Sequence, residues 1–422
     1  MHARCIEPAR TPVDAELTAS PSKSWTHRAL VAAALADGTS WIERPLDAAD
    51  TRCTRRGIVS LSIPVEEDAS SSWIVRGCSG IVEGGARIDA QASGTSARFL
   101  IALAAMGARG SIIDGSPRLR ERPMEELILA VRALGGLAAS QRGALPVTAG
   151  GPMRGGAVTI AGHRSSQFAS ALLLVSPALP EGLALTVVPP RASFAYVLLT
   201  VDVLARFGVV VNRPAEGVFT VAPQRVVPAR VPSEGDHSSA SYAFLAAAVT
   251  GGRVRVNGVD ARSAQPDARF SRDLEEVGCA VARDGEGITV EGPTRLRPFD
   301  WDLAGAPDLG PAAAVLALFC DGTSRLRGVE NLRLKESDRV AALAAGLSAL
   351  GAEVTVEGDA LTVQPPSGAT AGATIDVADD HRIAMAFAVA GLRVPGVTVS
   401  DARVVEKSYP AFWGDLERLA GR

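Results

Sequence analysis

One segment type recurs along the chain at a near-constant spacing, and it constrains the fold more than any single motif. The segment is an Ala-rich apolar helix, then a Gly-containing turn, then a short β-branched strand. These helices start near Ser24, Ala97, Ser166, Ser238, Gly310 and His381, at intervals of 73, 69, 72, 72 and 71 residues. Self-similarity at a fixed period is the signature of a repeated supersecondary unit. A second helix follows in most units, over Met124–Leu134, Val197–Phe207, Phe270–Val277 and Arg339–Leu350. Each runs into a glycine suited to the left-handed position after a helix. Short alternating strands follow, such as those beginning at Gly287 and Ala360. The unit is therefore βαβαβ-like, about 70 residues long and used six times. The small residues on its first helix suit close packing among strands and other helices.

Six units split three and three. A Pro-rich break, Val227-Pro-Ala-Arg-Val-Pro-Ser-Glu-Gly, separates the third unit from the fourth, and Thr18-Ala-Ser-Pro-Ser precedes the first. The expected division is one lobe over 20–233 and a second over 1–19 with 234–422. The hinges then fall near 19–21 and 232–235. A cleft between two such lobes is a common ligand site. The fold class expected is α/β, two-lobed, with three repeats per lobe.

Composition narrows the function. Forty-three Lys and Arg against forty-six Asp and Glu leave a net charge of −3, too balanced for a broad nucleic-acid or anionic-membrane surface. Five scattered cysteines form no CxxC pair, which argues against a disulfide scaffold or a cysteine zinc site and suits inert core residues. The N-terminus has no apolar signal region, and the apolar run Phe99–Ala108 falls well short of the roughly 18 residues a membrane helix needs. A cytoplasmic protein is the expectation. No GxxxxGK[ST], no GxGxxG after a strand and no HExxH occurs, so no nucleotide, dinucleotide or metal cofactor is expected.

The helix starts carry the chemistry. Free N–H groups and the helix dipole favour anions there. The first unit begins Pro21-Ser-Lys23-Ser-Trp-Thr-His-Arg28, the third His163-Arg-Ser-Ser-Gln-Phe, and the sixth Asp379-Asp-His-Arg382. A basic residue in a first turn opposes the dipole, so it needs an anion or solvent. Any one of these could be a capped start with a surface arginine, and His163 and His237 read as caps or surface groups. Three polar starts on otherwise greasy helices point to ligand binding. Arg118, Arg120 and Arg122 cluster before another helix; Asn331, Arg333, Lys335, Glu336, Asp338 and Arg339 form a second charged run. In that run the i, i+4 spacing predicts Lys335 and Arg339 on one face, with Glu336 beside them. Arg forks suit carboxylate and phosphate, and Lys adds a point charge. Asp308 and Glu336 lie among these bases as a possible base and acid pair. The residues alone thus point to a transferase or lyase acting on phosphorylated, carboxylated small molecules.

Eight motifs in order then carry a resemblance over Lys23 to Pro410. They are Ser22-Lys-Ser with Arg28, Ser93-Gly-Thr with Arg98, Glu121-Arg-Pro, Ser165-Ser-Gln-Phe, Glu234-Gly-Asp-His-Ser-Ser-Ala-Ser-Tyr, Asn331-Leu-Arg-Leu-Lys-Glu-Ser-Asp-Arg, Asp380-His-Arg-Ile-Ala-Met and Lys407-Ser-Tyr-Pro. The chain resembles the enolpyruvyl transferase family, in its branch acting on shikimate 3-phosphate. The resemblance implies an inside-out α/β barrel in each lobe, built from βαβαββ units. It implies transfer of the enolpyruvyl group of phosphoenolpyruvate to the 5-hydroxyl of shikimate 3-phosphate, by a monomer needing no cofactor. Ser24 and Arg28 would bind the acceptor, Arg28 on its carboxylate. Ser165, Ser166 and Ser193 would cradle its phosphate, with Gln167 under the ring and Tyr196 near it. Asp308, Asn331 and Lys335 would hold its hydroxyls and phosphate side. Lys23, Arg122 and Lys407 would grip the phosphate of phosphoenolpyruvate, Arg339 and Arg382 its carboxylate, with Gln167 close and Gly94 leaving room. Glu336 is the implied acid, Asp308 the base, and Lys23 and Lys407 stabilise the departing phosphate.

The sequence departs from the family pattern at Ser20-Pro21 (usually Pro-Gly), His27 (Asn), Ala92 (Asn) and Ala49-Asp50-Thr51 (Asp-Asp-Thr). Ala92 and His27 motivate an alternative, a paralogue using another hydroxylated acid. The UDP-N-acetylglucosamine branch carries a Cys before its Arg-Pro motif, and no Cys lies between Cys78 and Cys279 here.

Overall fold

The first helix of each repeat is Lys23–Leu35 (α1), Gly94–Ala104 (α2), Ser166–Val175 (α3), His237–Thr250 (α4), Gly310–Ala317 (α5) and His381–Gly391 (α6). In the computed structural model, which describes residues 2–10, 12–368 and 372–422, these helices are the core. In α5 and α6 every residue is buried, and in α1 everything from Trp25 to Leu35 is. A helix that is apolar all round must be enclosed. Their Ala content lets backbones approach closely: α1, α2 and α3 pack on one another, as do α4, α5 and α6. The second helices differ. Arg339–Ala349 buries only Arg339, Val340, Leu343, Gly346 and Leu347, one face at helical spacing. The expected glycine stops are present, with Gly208 at φ +73° and Gly351 at φ +90°.

Two compact units divide the chain, Pro21–Ser233 and Met1–Ser20 with Glu234–Arg422. Each holds three sheets. The repeat's pattern is plain in the second: Arg87–Asp89 pairs in parallel with Ser111–Asp114, which pairs antiparallel with Val147–Gly150, which pairs antiparallel with Leu137–Ala139. The parallel step brackets the first helix, as a βαβ crossover requires. The remaining two strands form a hairpin. The third and fifth repeats have the same order.

The first and fourth repeats exchange their opening strands. Asp14–Thr18 precedes α1 in the chain, yet pairs in parallel with Arg253–Asn257 of the fourth repeat. Arg230–Pro232 precedes α4, yet pairs in parallel with Trp41–Glu43 of the first. Backbone bonds continue each strand past its end: Asp236 N–H donates to Ser20 O at 2.7 Å, and Ser233 N–H to Glu43 O at 2.9 Å. The sixth repeat is abbreviated to three strands, and the N-terminal Arg4–Cys5 supplies its antiparallel member. Cys53, Cys279 and Cys320 are buried as expected, but Cys5 on that strand is exposed.

Candidate active site

In the unit Pro21–Ser233 the candidates Lys23, Ser24, Gly94, Ser165, Ser166 and Gln167 stand where three helices begin. Ser22, Ser93 and Ser165 cap α1, α2 and α3, their hydroxyls accepting from the N–H groups of Trp25, Ser96 and Gln167. A serine cap satisfies one donor and leaves the positive end of the dipole uncancelled. Cation is added to this field. Lys23 opens α1 and its Nζ lies 3.2 Å from Asp50 Oδ2. Asp50 is the acid retained in the altered Ala49-Asp50-Thr51 stretch.

Arg28 is 2% exposed. Its Nε donates to Thr200 Oγ1 at 2.8 Å, Nη1 to Ser24 O at 2.7 Å, and Nη2 to Tyr196 O at 3.0 Å and Ser170 Oγ at 3.3 Å. These acceptors are all neutral. Burial lowers the guanidinium to about 10. An arginine is buried at such cost only where something offsets it, and charge-assisted contact with an anion does so most effectively.

Gln167, beside Ser165 and Ser166, has its amide locked: its Oε1 accepts from Arg98 Nη1 at 2.5 Å, and its Nε2 donates to Thr95 Oγ1 at 2.9 Å. Arg98 belongs to the α2 motif but had no assigned role; it aims Gln167. Ser193 is buried at φ +55°, a conformation few non-glycine residues hold, and such strain gathers at ligand sites. Tyr196 follows it, its carbonyl taken by Arg28 and Thr200. At Gly94 a Cβ would lie 2.6 Å from Arg122 Nη1, so the space this glycine leaves is filled by a guanidinium held flat against the start of α2. Of the three clustered arginines only Arg122 is buried; Arg118 and Arg120 are exposed and pair with Glu121 and Asp114. His27 is fully buried, and its Nδ1 lies 2.7 Å from Thr54 Oγ1. Thr54 bonds Ser96 Oγ at 2.8 Å, and Ser96 bonds the Ser93 cap at 2.7 Å. His27 is thereby part of a polar chain from α1 to the cap of α2.

In the other unit the candidate residues are opposite charges held together. Aspartates, not serines, cap three of its helices: Asp236 for α4, Asp338 for Arg339–Ala349 and Asp380 for α6. Asp308 stands in the turn Pro307–Leu309 before α5. Its Oδ1 lies 3.0 Å from Arg339 and 3.5 Å from Lys335, and its Oδ2 lies 3.0 Å from Arg382. Burial raises the Asp308 carboxyl, but Arg382, Lys335 and Arg339 outweigh it and hold the group well below the usual carboxylate range. Arg339, 1% exposed, also bonds Asp380 at 2.7 Å and Glu336 at 2.9 Å. It is the hub of three carboxylates rather than a lone cation. Burial disfavours its charge, but Asp380, Glu336 and Asp308 more than compensate.

The expected shared helical face of Lys335 and Arg339 does not form. Lys335 ends the turn Glu330–Leu334, which contains Asn331, while Arg339 opens the next helix. The two meet because both reach Asp308. Lys407 ends the turn Ala402–Lys407 and is buried. His163 is exposed, but His237 is buried and reaches Asp260 O with Nε2 at 3.0 Å, so it is neither a cap nor a surface group.

One group near Asp308 had no signal in the sequence. Asp267, in the turn Pro266–Arg269, is 2% exposed. Its Oδ2 accepts a short bond from Ser238 Oγ, and its Oδ1 has no hydrogen-bond partner among the described residues. Ser238 lies inside the Glu234–Tyr242 motif; Asp267 lies outside every motif.

The chain as a whole matches a known family. The family model for EPSP synthase (3-phosphoshikimate 1-carboxyvinyltransferase) matches residues 8–416. Relatives bearing the name 3-phosphoshikimate 1-carboxyvinyltransferase include one from Methanoculleus marisnigri, 43% identical and covering 96% of each chain. Another, from Syntrophobacter fumaroxidans, is 41% identical over 99% of each. The solved EPSP synthase of Acinetobacter baumannii superposes with a TM-score of 0.82 at 25% identity, covering 100% of this chain and 98% of its own. The chain belongs to the EPSP synthase family.

Proposed function

We infer that the chain transfers the enolpyruvyl group of phosphoenolpyruvate to the 5-hydroxyl of shikimate 3-phosphate, releasing phosphate, as a step of aromatic amino acid biosynthesis. The observation that carries this reading is Arg28: a buried guanidinium with neutral partners, beside serine-capped helix starts, fits an acceptor bearing both a carboxylate and a phosphate. In the proposed assignment Arg28 and Ser24 take the carboxylate end, and Ser165, Ser166 and Ser193 take the phosphate. Gln167 and Tyr196 face the ring, and Asn331, Lys335 and Asp308 take the hydroxyls. Lys23, Arg122 and Lys407 hold the phosphate of phosphoenolpyruvate, and Arg382 and Arg339 its carboxylate.

The chemistry follows from charge. Glu336 gives a proton to the methylene carbon, and the neighbouring carbon becomes electrophilic. The acceptor hydroxyl attacks there as Asp308 takes its proton. Phosphate then leaves the tetrahedral intermediate with the proton Asp308 took, Lys23 and Lys407 stabilising the developing charge, and the Glu336 carboxylate takes a methyl proton back as the double bond re-forms. Asp308 held by three cations is a weak base. When the carboxylate of phosphoenolpyruvate competes for Arg382 and Arg339, those cations are shared, and the basicity of Asp308 rises. The substrate thereby readies its own base.

The near-balanced charge supports an enzyme for small anions, working as a cytoplasmic monomer without nucleic acid or membrane. No helix among the described residues is long and apolar enough to cross a membrane. Phosphate release from purified protein is the test. Release that requires both phosphoenolpyruvate and shikimate 3-phosphate is expected; release with either alone, or with neither combination, overturns the reading.

A further inference from the structure

Asp267 is an acid that no step above uses. Its turn packs against α4, and Ser238 on α4 is the one hydroxyl serving its two oxygens. A buried carboxylate with so few donors is poorly solvated. The turn of Asp308 and helix α6, which carries Arg382, pack on the same helix α4 as the turn of Asp267, and Asp308, Arg382 and Asp236 act on Asp267 by charge; His237, beside Ser238 on α4, reaches Asp260 O instead. On its own side, Arg269 and Asp273 pair with each other at 2.8 Å. Arg382 is therefore the cation that favours the charged form, opposed by two carboxylates and by burial.

We propose that Asp267 is a proton-accepting positioning residue coupled to the anion held at Arg382, so that binding of phosphoenolpyruvate draws a proton from solvent onto Asp267. The inference rests on the reading that Arg382 holds the substrate carboxylate. That carboxylate adds negative charge near Asp267 and takes a share of Arg382, and both effects disfavour the Asp267 anion. Protonating Asp267 leaves Arg382 with one fewer carboxylate to neutralise, and so more of its charge for the substrate. Burial first, then Asp308, raise Asp267 to about 7, which puts the exchange in the working range.

The sign follows from linkage. Phosphoenolpyruvate binds best when Asp267 is protonated, so its KM rises as pH climbs through the titration of Asp267. A binding-induced shift of one pKa unit makes that rise about tenfold between pH 6.5 and 9. The experiment is the pH profile of KM for phosphoenolpyruvate in turnover with saturating shikimate 3-phosphate, in wild type, Asp267→Asn and Ser238→Ala. Asp267→Asn keeps a neutral group of the same shape and is expected to lose the rise in KM, whatever offset the lost charge gives kcat through Asp308. Ser238→Ala removes the donor that favours the anion, so its midpoint moves to higher pH. A purely structural Asp267 predicts a common loss of kcat and stability with no change in the shape of the KM profile. The same KM profile in all three proteins overturns the proposal. Should Asp267→Asn fail to fold, an unmoved midpoint in Ser238→Ala overturns it alone. Absence of turnover in wild type overturns the underlying reaction, and this inference with it.

Discussion

Arg28 concentrates the residue-scale argument. Four hydrogen bonds fix its fork, and each acceptor is satisfied by it. Arg28→Ala removes the charge and the guanidinium donor to the Ser24 carbonyl, while the Tyr196 carbonyl keeps Thr200 and Ser170. The expected result is a KM for shikimate 3-phosphate raised about 100-fold or more, the magnitude of losing a buried charge partner. Arg28→Lys is expected to recover little, because an ammonium cannot span a fork of three nitrogens; near-normal KM in the lysine variant would contradict the assignment. Glu336 makes a separate case. Its Oε2 accepts from Arg339 Nη2 at 2.9 Å, which fixes the carboxyl in place. Glu336→Gln keeps the shape and removes the transfer. Turnover should fall roughly 10²- to 10⁴-fold with substrate KM values little changed. Steady-state kinetics separate this outcome from a binding defect.

At the scale of elements, helix starts do two kinds of work, and the caps tell them apart. Serine caps in Pro21–Ser233 leave a positive field; aspartate caps in the other unit neutralise theirs and align arginines. Gly94 tests the first kind. Alanine at the start of α2 improves helix propensity by up to about 1 kcal/mol. Its methyl also meets the Arg122 guanidinium at 2.6 Å, so Arg122 must shift. Gly94→Ala is therefore expected to be no less stable to heat than wild type, yet to bind phosphoenolpyruvate about tenfold more weakly. Thermal melts and KM measured on the same preparation check both halves. A melting temperature that drops sharply would mean that the glycine serves packing.

On the scale of the whole molecule the exchanged strands make the two units unequal as fragments. Residues 21–233 contain every strand of their three sheets. Residues 234–422 lack Asp14–Thr18 and Arg4–Cys5, which other sheets of that unit need. Expressed alone, 21–233 should unfold cooperatively. Expressed alone, 234–422 should be poorly soluble, because the Arg253–Asn257 edge and the core beneath it are uncovered. Adding a peptide of residues 2–20 in trans should restore folding. Circular dichroism during denaturant titration reports all three, and a soluble, cooperative 234–422 would count against this account.

Periodicity alone was enough for six repeats, the buried helices and most helix ends, because apolar spacing and glycine stops are local properties. Charged motifs singled out Arg28, Asp308, Arg339 and Arg382, and each sits at or near a helix start. Other features are invisible to local reading. Strand exchange depends on which edge a strand meets, and Asp14–Thr18 reads the same whichever sheet it completes. Lys335 and Arg339 were expected to share a helix face, but they converge only through Asp308, about thirty residues earlier in the chain. Asp267 carries no pattern at all; its chemistry comes from the burial and the neighbours that the fold imposes. Sequence determined which segments are apolar, capped and charged, because those are properties of neighbours along the chain. Tertiary structure decided which charges are paired and which are buried, because Coulomb energies depend on distance and desolvation, and neither exists until the chain has folded.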